Sequence, residues 1–167
     1  MPFLYLGLGS NLGDRYQNLA SSICSLKSSG LSISRSSSVY ETAPWGEEQQ
    51  PWFLNLVLEC WSLVAPEAIF LLCQIVEKKF GRRWSKRWGP RLLDIDILLF
   101  GNLIYKTKNL EIPHPRLSQR LFVLAPLLEI NDHLEDPQTG RPFLSYLPAV
   151  QGQVIKKFEG PGRLNFL

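Results

Sequence analysis

An α+β fold with an antiparallel sheet is predicted for this chain, and three observations carry the prediction. Apolar stretches of strand length alternate with two segments of helical periodicity, in the order strand, helix, strand, strand, helix, strand. Glycine and proline stand at the joints between those segments, where helices and strands stop. A length of 167 residues, 45% hydrophobic and 20% charged, suits one globular domain whose core needs no disulfide or structural metal. Residues 1–167 are therefore expected to form a single domain.

The first strand is FLYLGLGSN, whose large apolar side chains run into glycines, and GLGSNLG reads as a turn. From Asp14, a residue suited to capping a helix, Leu19, Ile23 and Leu26 recur at spacings of four and three until Gly30 closes the segment. LSISRSSSVYETAP alternates through Leu31, Ile33 and Val39 among many serines, the pattern of one half-exposed strand ended by Pro44. WGEEQQP has no periodicity and reads as a loop. It leads into WFLNLVLECWSL, a long strand whose period of two puts Trp52, Leu54, Leu56 and Leu58 on one face and Phe53 and Asn55 on the other. Pro66 opens the second helix, in which Ile69, Leu72, Cys73, Val76 and Phe80 follow helical spacing to Gly81. A basic loop, GRRWSKRWGP, precedes the last core strand, which lies in RLLDIDILLFG. Beyond it come a short strand with a proline-rich loop, a helix over Leu121–Ile130 in spite of Pro126, and a remainder read as turns and tail.

This order matches the split βαβ arrangement of ferredoxin-like folds: a βαββαβ core with helices packed on one face of the sheet, here followed by C-terminal additions. Such a fold hosts many functions, so the chemistry has to come from particular residues. A net charge of +3 is too mild for a dedicated nucleic-acid binder. Cys24, Cys60 and Cys73 are odd in number, lack C-x-x-C spacing and lie among apolar residues, so they read as buried, reduced thiols of a cytoplasmic protein. The apolar N-terminal run is too short for a signal peptide or a membrane span. No G-x-x-x-x-G-K-[ST] is present, and Gly13 falls one residue late for G-x-G-x-x-G. His114 and His133 have no evident partners for a nucleophilic triad.

What stands out is Asp94 and Asp96 inside an apolar strand. They fall on one face, about 7 Å apart along the backbone, while Leu93, Ile95, Ile97 and Leu99 fall on the other. Two carboxylates held so close repel, and partial burial raises at least one pKa unless a cation compensates. A hard divalent ion such as Mg²⁺ suits them, since it takes one or two carboxylates and leaves positions for water and phosphate oxygens. Arg82, Arg83, Arg87 and Arg91 precede the pair, and arginine makes bidentate contacts with phosphate. Acids for metal beside arginines for phosphate compose a nucleotide-phosphate site. Separately, Phe53 and Asn55 share a strand face that offers a stacking surface beside an amide, as a flat ligand would need.

RWGPRLLDIDIL resembles the signature of the 6-hydroxymethyl-7,8-dihydropterin pyrophosphokinases, with its Arg, Gly, Pro and Arg followed after two residues by D-x-D and aliphatics. The resemblance extends through GLGSNLGD, ETAPWG, QPWFLN, LLFGN and IPHPRLSQRLFVLAPL, most of the chain. It implies a ferredoxin-like enzyme of folate biosynthesis that transfers pyrophosphate from ATP to a pterin hydroxymethyl group and releases AMP. By position, Asp94 and Asp96 would hold two Mg²⁺ bridging the ATP phosphates and the substrate hydroxyl. Phe53 and Phe122 would sandwich the pterin, Asn55, Thr42 and the backbone from Ala43 to Trp45 would read its edge, and Trp88 would border both substrates. Gln74, Glu77, Arg87, Trp88, Arg91, Ile97, His114 and Arg120 would line the ATP site. Arg82, on a loop that closes over the reactants, would join Arg91, Asp94 and Asp96 in catalysis. A cytoplasmic monomer is expected, with small-molecule partners and neither nucleic acid nor membrane among them.

Two rival readings come from other classes. A ferredoxin-like RNA-binding module would present aromatics on its sheet, but no RNP-type aromatic and basic motif is found. A two-metal phosphodiesterase would transfer the phosphoryl group to water, and normally needs more carboxylate or histidine ligands than this cluster offers.

Overall fold

The computed structural model describes residues 3–44, 49–81 and 89–158. In chain order the elements are β1 (Phe3–Ser10), α1 (Arg15–Ser28), β2 (Ser32–Ser36), β3 (Tyr40–Thr42), β4 (Phe53–Trp61), α2 (Pro66–Lys79), β5 (Asp94–Phe100), β6 (Tyr105–Lys106) and β7 (Glu111–Ile112). A 3-10 turn at Leu117–Gln119, α3 (Leu121–Ile130), a second 3-10 turn at Phe143–Tyr146, α4 (Leu147–Val150) and β8 (Ile155–Lys157) follow.

Six strands form one sheet in the order β5, β1, β4, β3, β8, with β2 also paired to β4, and every pairing is antiparallel. The β5-β1-β4-β2 order is that of the ferredoxin-like core, and β8 extends the sheet at the β3 edge. Leu4, Leu6 and Leu8 of β1 and Leu54, Leu56 and Leu58 of β4 point to the face covered by Leu19, Ile23 and Leu26 of α1 and Ile69, Cys73 and Val76 of α2. Each such leucine, buried in full, contributes about 1.5–3 kcal/mol of transfer free energy. The helix boundaries follow the local chemistry. Asp14 accepts a hydrogen bond from the Gln17 N–H at 3.0 Å, Pro66 occupies the first turn of α2, and Gly30 and Gly81 take the positive φ that ends each helix.

The expected helices on one face account for α1 and α2 only. The opposite face carries its own apolar layer, in which Tyr5, Val57, Leu98 and Leu99 meet Val123, Leu124 and Leu127 of α3 and Phe143 and Val150 beyond it. Leu99 therefore lies on the face opposite to the one expected. Tyr5 pairs with Leu99 and Leu6 with Ile97, so Leu98 is a surplus residue, and this bulge turns both Leu98 and Leu99 toward α3.

Three further expectations are corrected. The serine-rich segment forms two strands, because the ladder breaks at Ser37: its N–H still donates to the Val57 carbonyl at 2.9 Å, but the Val57 N–H donates to Ser37 Oγ at 2.9 Å in place of the Ser37 carbonyl. The presumed turns after α3 include α4 and β8. Cys24 is exposed, since it projects from the solvent side of α1, whereas Cys60 and Cys73 are buried and burial pushes both thiols up. Among the described residues no helix is long and apolar enough to cross a membrane.

Candidate active site

Gly7 and Gly9 are strand residues, not the turn that GLGSNLG suggested; the turn follows at Gly13, whose φ is 63°. In the ladder, Gly9 lies between Asp94 of β5 and Asn55 of β4, and Gly7 lies between Asp96 and Val57. The central strand thus presents backbone where the two predicted half-sites face each other. A side chain at Gly9 would collide with one of them: a Cβ there would stand 2.8 Å from Asn55 Oδ1 and 3.6 Å from Phe53 Cδ1.

On one side of this glycine floor stand the acids and their cations. Arg91 Nη1 lies 2.8 Å from Asp94 Oδ1. Arg120 Nη1 and His114 Nε2 each lie 3.7 Å from Asp96 Oδ2. Loss of water, then the neighbouring Asp94 charge, holds the Asp96 carboxyl above the ordinary aspartate range. Solvent screens part of this effect, because 39% of the Asp96 side-chain surface is exposed. Burial first, and the Arg120 charge second, bring His114 down to about 4, so its imidazole is neutral at pH 7. His114 Nδ1 accepts from the Arg116 N–H at 3.2 Å, which leaves the ring proton on Nε2, toward Asp96.

The helix α2 reaches this group through Glu77, which is buried and whose Oε1 accepts from the Ile95 N–H at 2.9 Å. Gln74 is exposed one turn earlier. Ile97 lies in the core with α1 and α2, so its side chain is on the face away from the aspartates; at the sheet edge it has backbone to offer.

On the other side of the floor, Asn55 Nδ2 donates to Thr42 Oγ1 at 2.7 Å, and both residues are buried. Thr42, Ala43, Pro44 and Phe122 line a recess of about 110 Å³. The Arg120 guanidinium lies 5.5 Å from the Phe122 ring centroid, linking the recess to the acid side. Trp45, Arg82, Arg87 and Trp88 lie outside the described residues.

Among the described residues no group of three or more His, Cys, Asp or Glu side chains is disposed to hold a metal by itself. Asp94 and Asp96 instead offer two carboxylates, the Asp96 carboxyl with a raised proton affinity, a donor set that fits Mg²⁺ completed by water and phosphate.

Sequence reasoning missed two groups here. Asn11 is buried at the end of β1; its Oδ1 accepts from the Arg91 N–H at 2.7 Å, while Nδ2 donates to Gln50 Oε1 and the Pro51 carbonyl at 3.0 and 3.1 Å. A polar residue two positions after the second of two strand glycines was the available signal. Gln153 and Val154 complete the recess, and nothing in the local pattern of the tail points to them.

A model of the family described as 7,8-dihydro-6-hydroxymethylpterin-pyrophosphokinase (HPPK) matches residues 5–132. The chain is 42% identical over 148 residues to the 2-amino-4-hydroxy-6-hydroxymethyldihydropteridine pyrophosphokinase of Aquifex aeolicus (strain VF5), covering 89% of this chain and 92% of that one. The protein of the same description from Bacillus subtilis (strain 168) is 43% identical over 136 residues, 81% of each chain. Among solved structures, wild-type Plasmodium falciparum HPPK-DHPS superposes with a TM-score of 0.69 at 14% identity, over 89% of this chain and 44% of that one, a likeness of fold. This chain thus spans less than half of that longer protein. With the family model covering most of the sheet and both half-sites, the chain belongs to the 7,8-dihydro-6-hydroxymethylpterin-pyrophosphokinase family.

Proposed function

We infer that this chain transfers the β,γ-pyrophosphoryl group of ATP to the hydroxymethyl oxygen of 6-hydroxymethyl-7,8-dihydropterin, giving the pterin diphosphate and AMP, a step of folate biosynthesis. Family membership supports the reaction. The observation in the fold that carries it is the glycine floor, which leaves an acid pair and a flat-ligand face open to each other.

In this reading the acceptor oxygen forms a bond to the β-phosphorus while the bond from that phosphorus to the oxygen bridging the α-phosphate breaks, and AMP leaves with that oxygen. Asp94 and Asp96 would hold two Mg²⁺, which when bound would supply charge neutralisation on the phosphates and polarisation of the attacking hydroxyl. Arg91 and Arg120 bring positive charge to the same place, and burial of Arg120 strengthens it by excluding water. Neutral His114 has an Nε2–H to donate to a phosphate oxygen and takes no proton at pH 7. Asn55, anchored by Thr42, reads the pterin edge with one fixed amide, and Phe53 and Phe122 stack on the ring. Arg82, Arg87 and Trp88 complete the nucleotide side, and Trp45 the pterin side. Residues 1–167 act as one domain, as a cytoplasmic monomer with these small molecules as its partners.

The test is AMP formation from ATP and Mg²⁺, with and without the reduced pterin, for wild type and Asp96→Ala. We expect turnover that requires the pterin and falls by several orders of magnitude in the variant. AMP release without the pterin would identify a phosphodiesterase, and salt-dependent RNA binding without turnover an RNA-binding module. Equal activity in both proteins would remove the role given to Asp96.

A further inference from the structure

One wall of the recess is built by residues beyond the 5–132 span that the family model matches. The β8 strand pairs with β3 through Thr42 and Ile155, Glu41 and Lys156, and Tyr40 and Lys157, and the Ala43 N–H donates to the Val154 carbonyl at 3.4 Å. That pairing carries Gln153 and Val154 to the recess beside Thr42 and Phe122. The Gln153 carboxamide then uses both ends. Its Oε1 accepts from the Leu121 N–H at 2.9 Å, and its Nε2 donates to the Gln119 carbonyl at 2.8 Å. These two bonds bracket Arg120 and stop one residue before Phe122.

A helix leaves its first N–H groups without intrahelical partners, and the residue before α3, Arg120, makes no side-chain cap. Gln153 supplies the missing acceptor from 32 residues away in sequence. It therefore sets the backbone from which the Phe122 ring projects. Val154 keeps 57% of its surface exposed, so its size is limited by the recess and not by core packing.

We propose that Gln153 and Val154 complete the acceptor-binding recess, Gln153 as a positioning residue for Phe122 and Val154 as the side chain that limits the width of the acceptor. The proposal rests on the pterin-transfer reading above. It places acceptor specificity partly in the edge strand at the end of the fold.

The experiment compares wild type, Gln153→Ala and Val154→Trp by steady-state kinetics with each substrate varied in turn, and by thermal melting. Loss of the two Gln153 hydrogen bonds is expected to raise the acceptor KM roughly tenfold and the ATP KM by a smaller factor, since the same bonds also hold the backbone on either side of Arg120. Val154→Trp, which fills the recess without touching the helix cap, is expected to raise the acceptor KM by at least that factor with an unchanged melting temperature. If Gln153→Ala fails to fold, Val154→Trp decides. Acceptor KM values within twofold of wild type, or ATP and acceptor KM values rising in proportion, overturn the inference and leave the activity standing. A folded wild type that forms no AMP with the pterin overturns the functional reading and this inference with it.

Discussion

Replacing Gly9 by alanine tests the glycine floor directly. The new Cβ would stand 2.8 Å from Asn55 Oδ1, about half an ångström inside even a close C–H···O contact of ~3.3 Å. The other near atom, Phe53 Cδ1 at 3.6 Å, is at ordinary contact distance, so the strain falls on the Asn55 carboxamide. That group has little room, because it is buried and bonded to Thr42 Oγ1 at 2.7 Å. Rotation away from Gly9 takes the amide out of register with the acceptor and weakens one or two hydrogen bonds of about 1 kcal/mol each. The acceptor KM should rise roughly 5- to 30-fold, with an ATP KM within twofold of wild type. Stability should fall by about 1 kcal/mol, visible in urea unfolding, since the sheet itself is kept. Asn55→Ala, run alongside, measures the full value of the amide. If Asn55→Ala weakens acceptor binding and Gly9→Ala does not, the argument from the floor is wrong.

Three more outcomes can be checked. Burial works to raise the pKa of Glu59, but hydrogen bonds from Arg35, Ser34 and Tyr5 outweigh it and hold the carboxyl below the usual glutamate range. Its stabilisation is therefore complete above the unfolded pKa of about 4.3 and is lost as pH falls through the lower folded value. Glu59→Gln should cost about 2 kcal/mol at pH 7, less than a fully buried pair because Arg35 is 54% exposed, and should flatten the acid side of the stability profile; an unchanged profile refutes this. Asn11→Ala removes three hydrogen bonds and should cost about 3 kcal/mol of stability. It should also lower kcat at least roughly tenfold by loosening Arg91 beside Asp94, so an unaltered kcat would confine Asn11 to a structural part. A thiol reagent should modify Cys24 alone in the native protein, with Cys60 and Cys73 reacting on unfolding; fast labelling of more than one thiol would contradict the burial pattern.

The parts of the fold legible in the sequence are those decided by neighbours along the chain. Asp14, Pro66, Gly30 and Gly81 mark the ends of α1 and α2 because caps and left-handed turns depend on residue type at one position. The faces of β4 followed from a period of two that no bulge interrupts on the β1 side. What escaped depends on distant partners. The three residues of β8 are strand because β3 offers an edge, and no periodicity can announce that. The two halves of the serine-rich segment separate because Ser37 Oγ takes the Val57 N–H that its carbonyl would have taken in a continued ladder. In the site, charge betrayed Asp94 and Asp96 because acids in an apolar strand demand an explanation. Gln153 carries no such anomaly: a glutamine in a tail looks ordinary until the helix it caps is in place.

The surplus residue at Leu98 separates the requirements of the two ends of β5. Even pleating would have forced one choice of positions along the whole strand, so that acids at 94 and 96 turned away from the α1 and α2 core and Phe100 turned into it would compete for a single parity. The irregularity resets the count midway. If Leu98 stayed in an evenly pleated strand, holding Asp94 and Asp96 in place would send Leu99 to the α1 and α2 side and swing Phe100 to the α3 side, and holding Phe100 would turn both acids into the core; deleting Leu98 would instead remove the irregularity and leave all four on the faces they now hold.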